Sequence, residues 1–305
     1  MKFTNFANLI SKEVSKKLGD CFQIRINTVR KNNNLILTGL TIIQNGINIS
    51  PTIYLDGYYQ EYVNGRTTLK NVADAVMYTY NKNQIGHCVD MQYFLHYEQV
   101  KQTIVYKLIN TERNKELLED IPHIEFLDLS IVFQCIISQK EFGLSTVLIH
   151  NVHMKFWDVT AEELYKAAKE NTPRLLPHVI KSMNQVLSEM LMKENPEAFS
   201  FGECTQLLAG SIPMFVLSNR SQVEGAACIL YPQVLADFAN TINSSFYIIP
   251  STIHEVLILP AETTEESEGI LSMIQEINDT QVSTAEILSY SLYFYDKETD
   301  KVISV

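Results

Sequence analysis

Ser245-Ser-Phe-Tyr-Ile-Ile-Pro-Ser-Thr-Ile-His-Glu-Val-Leu-Ile-Leu-Pro260 holds two β-branched and aromatic runs on either side of a Pro-Ser-Thr break, the pattern of a β-hairpin. Both runs, Phe246 to Ile249 and Val256 to Leu259, are apolar with no polar alternate, so they are expected to be covered on two faces, centrally in a sheet. Covered strands require helices, and two candidates flank the hairpin. Pro232 to Ile242 sets Val234, Leu235, Phe238, Ala239 and Ile242 on one face; Thr264 to Ile277 does the same with Ile270, Met273, Ile274 and Ile277. With a strand ending at Asn219 and a last strand at Tyr290 to Tyr295, the segment reads as α+β.

Upstream the same grammar recurs. Phe6, Leu9, Ile10, Val14 and Leu18 predict a helix over 4–18 that stops at Gly19. Phe22 to Thr28, then Leu35 to Ile43 leading into Asn45-Gly46, then Ile47 to about Leu55 with Pro51 marking an edge, predict a three-stranded meander. Leu69, Val72, Ala73, Val76, Met77 and Tyr80 predict a helix over 68–80 packed on it, and a second short helix is expected from Asp90. Thr103 to Ile109 reads as a strand with a helical turn at 114–118 after it, and Leu127 to Ile137 with Leu144 to His150 as a hairpin bridged by 138–143. Thr160-Ala-Glu-Glu163 is a capping box opening a helix that Thr172-Pro173 should end, and Met183, Val186, Leu187, Met190 and Leu191 predict another helix before a polar connection at 193–201. The expected whole is antiparallel or mixed sheets flanked by amphipathic helices, in two docked halves, 1–150 and 151–305.

With 305 residues, 46% of them hydrophobic and 19% charged, the chain is in the globular range and long enough for a full core without staples. Its apolar runs fall short of the roughly 18–20 residues of a membrane span, and its first residues lack the uninterrupted apolar run of an export signal. Five widely spaced cysteines without a Cys-x-x-Cys pair fit reduced thiols in a cytoplasm. The formal charge is −11, and from Pro196 onward 15 acidic residues face only 3 basic ones, Arg220, Lys297 and Lys301. That third repels phosphate backbones, so nucleic acid is disfavoured as its partner; much of the acidity, at Glu262, Glu265, Glu266 and Glu268, suits a helix start. The region up to Lys31 has 7 basic residues against Glu13 and Asp20, enough for weak contact with an acidic partner, though a solvated face explains it as well.

Four strings occur in order: Leu148-Ile-His-Asn151, Asn171-Thr-Pro-Arg-Leu-Leu-Pro177, Gly225-Ala-Ala-Cys-Ile-Leu-Tyr-Pro232 and Ile253-His-Glu-Val-Leu-Ile-Leu-Pro260. From about Ile36 onward they resemble an uncharacterised bacterial family catalogued as a domain of unknown function. The order of elements from Leu148 is similar, more remotely, to a second uncharacterised cytosolic bacterial family. The resemblance implies a bacterial cytoplasmic protein, compatible with carriage on a mobile element, and supplies no activity, cofactor or catalytic residue.

Chemistry has few candidates. His150-Asn-Val-His153 has a spacing that puts two imidazoles on one helical face, with His178 or Asp158 as a conceivable third ligand, but no other metal signature accompanies it, so no metal is expected. Cys228 and His254 suggest a thiolate and its base, yet Cys228 sits in an apolar string that favours burial. Nucleotide-binding glycine loops and a Gly-x-Ser-x-Gly elbow are absent. Ser218-Asn-Arg-Ser221 lies at a strand end, where loops build sites, or else caps the following helix. Arg174, Asn219, Arg220 and His254 are therefore the candidate site, Arg220 as an anion-holding fork or a structural counter-charge and His254 as a proton carrier or a turn cap. The sequence favours a non-catalytic protein-interaction module without cofactor; a hydrolase working at the C-terminal sheet ends is the alternative. Thiol titration of the unreduced, denatured protein is expected to return all 5 thiols; a lower count would reveal a disulfide.

Overall fold

Phe6, Ile10 and Val14, each four residues apart, are fully buried on one stripe of the helix Phe3–Lys17, while Lys16 and Lys17 complete its last turn where cations suit the dipole. The computed structural model that places them describes residues 1–19, 21–48, 50–83, 91–140, 143–194, 213–263 and 267–305. It divides the chain into two compact units, Met1–Gln92 and Tyr93–Val305. Among the described residues no helix is long and apolar enough to cross a membrane.

In the first unit β1 (Phe22–Arg30), β2 (Ile36–Gln44) and β3 (Thr52–Tyr54) form an antiparallel sheet in that order. The register pairs Ile24 with Ile42, and Leu40 with both Ile26 and Ile53, so these side chains share one face. That face packs with the Phe3–Lys17 helix and with Val72, Ala73 and Val76 of the helix Leu69–Asn83. Two details differ from expectation. Gly46 does turn the chain at φ +80, but pairing resumes only where Thr52 meets Thr41, so Asn45-Gly46 begins a wide loop and not a two-residue hairpin. A helix Asp56–Val63 comes after β3; its inward residues are the partly buried Tyr58, Tyr59 and Tyr62, which leave little periodic signal.

The short helical turn Met91–Phe94 spans the boundary in the chain; the second unit continues with the turn Tyr97–Val100 and then β4 (Ile104–Asn110), β5 (His123–Phe126), β6 (Leu129–Lys140) and β7 (Gly143–Leu148). β6 pairs β4 along one edge and β5, then β7, along the other. The turn expected between β6 and β7 falls partly on residues 141 and 142, outside the described residues.

β8 (His178–Ser182), β9 (Phe215–Asn219), β10 (Phe246–Ile249), β11 (Val256–Pro260), β12 (Tyr293–Asp296) and β13 (Lys301–Ser304) make a six-stranded antiparallel sheet ordered β13-β12-β10-β11-β9-β8. The central pair is the β10–β11 hairpin, as its unbroken apolar runs require. Phe246, Ile248 and Ile258 face a core shared with the β4–β7 sheet and the helices Ala161–Leu175 and Val234–Ile242. Ile249 and Leu259 face the other way, onto Ile270 and Ile274 of the helix Ser267–Thr280. The short strands β5, β8 and β13 were not legible as apolar runs. The expected seam at 150 falls inside this unit, where Ile104, Phe133 and Ile149 belong to the same buried cluster as Leu217 and Ile258.

The capping box forms: Thr160 N donates to Glu163 at 2.8 Å and Glu163 N to the Thr160 hydroxyl at 3.2 Å. The helix it opens runs past Thr172-Pro173 to Leu175, a correction to the stop expected there. Thr172 stays helical because its hydroxyl donates to Ala168 O at 2.6 Å and accepts from Tyr106 N at 3.1 Å, which ties the last turn to β4. The polar connection expected at 193–201 lies outside the described residues beyond Glu194.

Ile258 has no exposed surface. Ile258→Ala is expected to cost about 2–5 kcal/mol through lost burial and the cavity left behind. Urea titration checks it, and an unchanged midpoint would contradict a central β11.

Candidate functional site

The segment Ser218-Asn-Arg-Ser-Gln-Val-Glu-Gly225 leaves the end of β9 and folds back at once. Asn219 makes the bend: its side chain donates to Val223 O at 2.7 Å and accepts from Val223 N at 3.4 Å. Glu224 then adopts a left-handed backbone, φ 54, and its N–H donates to Nδ1 of His254 at 3.1 Å. Ser218 donates its hydroxyl to the His254 carbonyl at 2.7 Å. A Cβ on Gly225 would lie 2.2 Å from the Ser218 hydroxyl, 2.5 Å from His254 O and 2.7 Å from Asn219 N, so no larger residue fits. The Glu224 carboxylate, 13% exposed, accepts from Lys107 Nζ of β4 at 2.7 Å and from Gln134 Nε2 of β6.

Asn219 and His254 thus meet at one junction. Arg220 stands beside it, its N–H donating to Pro177 O at 2.9 Å, but its side chain is exposed and forms no ion pair among the described residues. Arg174 is held apart from them, donating to Gln102 O at 3.0 Å and to Asn171 Oδ1 at 2.8 Å at the end of its helix.

The arrangement has little to offer a hydrolytic reaction. His254 accepts an amide hydrogen bond at Nδ1, which places its proton on Nε2, 3.8 Å from Glu286. The Ser218 hydroxyl bonds to the histidine's carbonyl and not to its ring, and the Thr252 hydroxyl accepts from the histidine's backbone N–H at 3.2 Å. Burial pushes the Cys228 thiol up to about 12, with a weaker opposing effect from its Tyr231 hydrogen bond, so the sulfur stays protonated. His153 accepts from the His150 amide at 3.0 Å and stacks on Trp157, and burial, then His150, lowers its proton affinity. That pair starts the helix Asn151–Trp157; among the described residues no group of three or more His, Cys, Asp or Glu is placed to hold a metal ion.

A groove of about 810 Å³ lies elsewhere in the second unit, between the Tyr97–Val100 turn, the end of the Asn151–Trp157 helix and the first turns of Ala161–Leu175. Trp157 anchors it, donating its indole N–H to Phe94 O at 3.0 Å, with Tyr97 6.2 Å away ring to ring. Leu95 and Phe156 on its wall are 45% and 61% exposed, two large apolar side chains side by side at one groove. The charges lining it are the carboxylates of Glu98, Asp158, Glu163 and Glu170 against Lys101 and Lys166, and His96 also lines it. Burial, then Glu163 and Glu98, raises the Tyr97 phenol. The sequence reading missed this groove. The available signal was Phe156-Trp157: two adjacent large aromatics on a helix point in different directions, so one of them must face outward.

The chain belongs to a family of unknown function (DUF5688), whose profile matches residues 3–297. The match begins well before Ile36, where the resemblance carried by the four strings started, so the first unit belongs to the family too. No curated protein and no solved structure matches the chain.

The junction and the exposed arginine predict opposite mutational behaviour. Gly225→Ala should cost about 3 kcal/mol, because two of its three clashes are with backbone. Arg220→Ala should change stability by no more than about 0.5 kcal/mol. Thermal melts of the two variants check both figures, and a large loss on removing Arg220 would restore its structural role.

Proposed function

We propose that the protein is a non-catalytic protein-interaction module of a bacterial cytoplasm, and that its groove at Trp157 receives a segment of another protein carrying an apolar side chain flanked by lysine or arginine. The observation that carries this reading is the pairing of an exposed apolar wall, Leu95 and Phe156, with a lining in which carboxylates outnumber ammonium groups. An aromatic or aliphatic anchor entering beside Trp157 would lose its water there, and a cationic neighbour would meet Glu98 or Glu170 at the rim. The commitments of His254, Ser218 and Cys228 to internal structure weigh against the hydrolase alternative.

The reading is tested with a displayed random-peptide library selected against the full chain. Enriched sequences should combine an aromatic or aliphatic residue with lysine or arginine. Their affinity should fall by roughly thirtyfold in Phe156→Asp, the ~2 kcal/mol expected of an interfacial anchor. Glu98→Lys should weaken them in a salt-sensitive manner. Acidic binders, or binders indifferent to Phe156, would overturn the proposal.

A further inference from the structure

The helix Asn151–Trp157, whose end walls the groove at Trp157, starts on two histidines that hold each other. The His150 N–H donates to Nδ1 of His153 at 3.0 Å, and the His153 N–H donates to the His150 carbonyl at 2.9 Å. A ring nitrogen that accepts an amide proton has its lone pair in use, so the His153 ring is neutral and carries its proton on Nε2. The same ring is the middle of an aromatic group. It stacks on Trp157 with centroids 5.6 Å apart and planes at 28°, and meets Phe94 edge to face at 5.6 Å and 79°. Trp157 closes the group by donating its indole N–H to Phe94 O. Phe94 and Trp157 are the chain neighbours of Leu95 and Phe156, so the His153 ring spaces the two segments that carry the apolar wall of the groove.

Nothing among the described residues supplies what a protonated His153 would need. Phe94 and Trp157 are uncharged, and Lys155, two positions further along the helix, lies on another side of it. Glu119 and Asp120, which hold the helix start, accept from Asn151 through their backbone carbonyls. The one charge that registers at the ring is that of His150, which lowers its proton affinity after the larger effect of burial; the carboxylates of Glu98, Asp158, Glu163 and Glu170 do not offset it. An indole face attracts a cation. Protonation nevertheless turns Nδ1 from acceptor to donor and leaves the His150 N–H facing another N–H, at a helix start where the dipole also opposes positive charge. The ring must then leave the amide.

We propose that His153 is a proton-operated latch on the groove at Trp157: neutral, it holds Phe94, Trp157 and the wall beside them in the receptive arrangement, and protonated it releases them and the bound partner. The inference rests on the reading of the groove as a docking site. Its sign follows from the lowered proton affinity. The latch's contribution is complete above the ordinary histidine value of about 6.5 and is lost as the pH falls through the lower value of the folded state. By reciprocity, a bound partner lowers the proton affinity of His153 further.

The chain has one tryptophan, so its fluorescence reports on this site without any partner. Acidifying the full chain from about pH 7.5 to about pH 5 should change the Trp157 emission in one sigmoidal step while far-ultraviolet circular dichroism shows the fold retained. His153→Asn keeps an acceptor at the δ position and carries no titrating ring, and should abolish the step; His96→Gln, which removes the histidine lining the groove, should leave it. Imidazole nitrogen shifts of the unmutated chain should show His153 as the Nε2–H tautomer, titrating together with the emission. Peptides selected on the groove should bind roughly threefold or more weakly at about pH 5 than at about pH 7.5, as the competent fraction shrinks, and His153→Asn should remove most of that difference. The latch is overturned if the emission is flat, if the step survives His153→Asn or vanishes in His96→Gln, if His153 is the Nδ1–H tautomer, or if bound peptides ignore pH. If no peptide is enriched, the reading of the groove fails while the emission step and the tautomer still decide the latch.

Discussion

The contact on which the second unit depends is the one made by Glu224. Its carboxylate takes hydrogen bonds from β4 through Lys107 and from β6 through Gln134, while its own amide is bonded to His254 just before β11. One residue therefore fastens the four-stranded sheet to the six-stranded one. The Lys107 and Glu224 side chains are only 22% and 13% exposed, so most of their hydration is gone and their attraction, with Gln134 as a further donor, must offset that loss. Such a pair adds less to net stability than it adds to definition. Removing either partner would leave the other charge dehydrated and alone, a state several kcal/mol worse. The left-handed backbone at Glu224 and the crowded glycine after it arise from the same demand, since the chain must reverse within a few residues to bring that carboxylate between the sheets.

The segment after Glu224 is apolar for a related reason. Gly225–Leu230 is a tight helical turn whose Ala226, Ala227 and Cys228 are almost completely buried in the core common to both sheets. Small side chains let the turn wedge between sheets that larger residues would separate. Cys228 serves there as a small hydrophobe, and its raised thiol proton affinity is a consequence of that packing. A second set of links repeats the logic at the far side: Asp128, in the turn between β5 and β6, accepts hydroxyls from Ser289, Ser291 and Tyr293. Burial raises the Tyr293 phenol, and its hydrogen bond to Asp128 raises it further.

The parts of the fold legible in the sequence were those where one residue pattern has one physical solution. Unbroken apolar runs at 246–249 and 256–259 could only be interior strands, and Thr160 with Glu163 could only start a helix. Long-range contacts decided the rest. Thr172-Pro173 reads locally as a stop, yet the Thr172 hydroxyl bridges Ala168 and β4, and no local pattern announces Tyr106 as its partner. β8 and β13 are edge strands defined by the neighbour they pair with more than by their own composition. The candidate site divides in the same way. Asn219 and His254 were found because they lie at strand ends, but the pattern could not tell that the His254 ring and the Ser218 hydroxyl face different partners. Arg220 stood out by its isolation in an acidic stretch, a property of composition that says nothing of direction.

Charge distribution then bears on what can approach each unit. Residues 1–92 carry 10 basic and 6 acidic side chains; residues 93–305 carry 14 and 29. The excess of one sign in the second unit sets up a field that draws in cations and repels polyanions over about a Debye length, ~8 Å at physiological ionic strength. A cationic segment of the kind proposed for the groove at Trp157 would be drawn toward this unit before contact forms, whereas a polyanion would be repelled. Association at the groove should respond to salt through its rate, because long-range attraction is what salt removes.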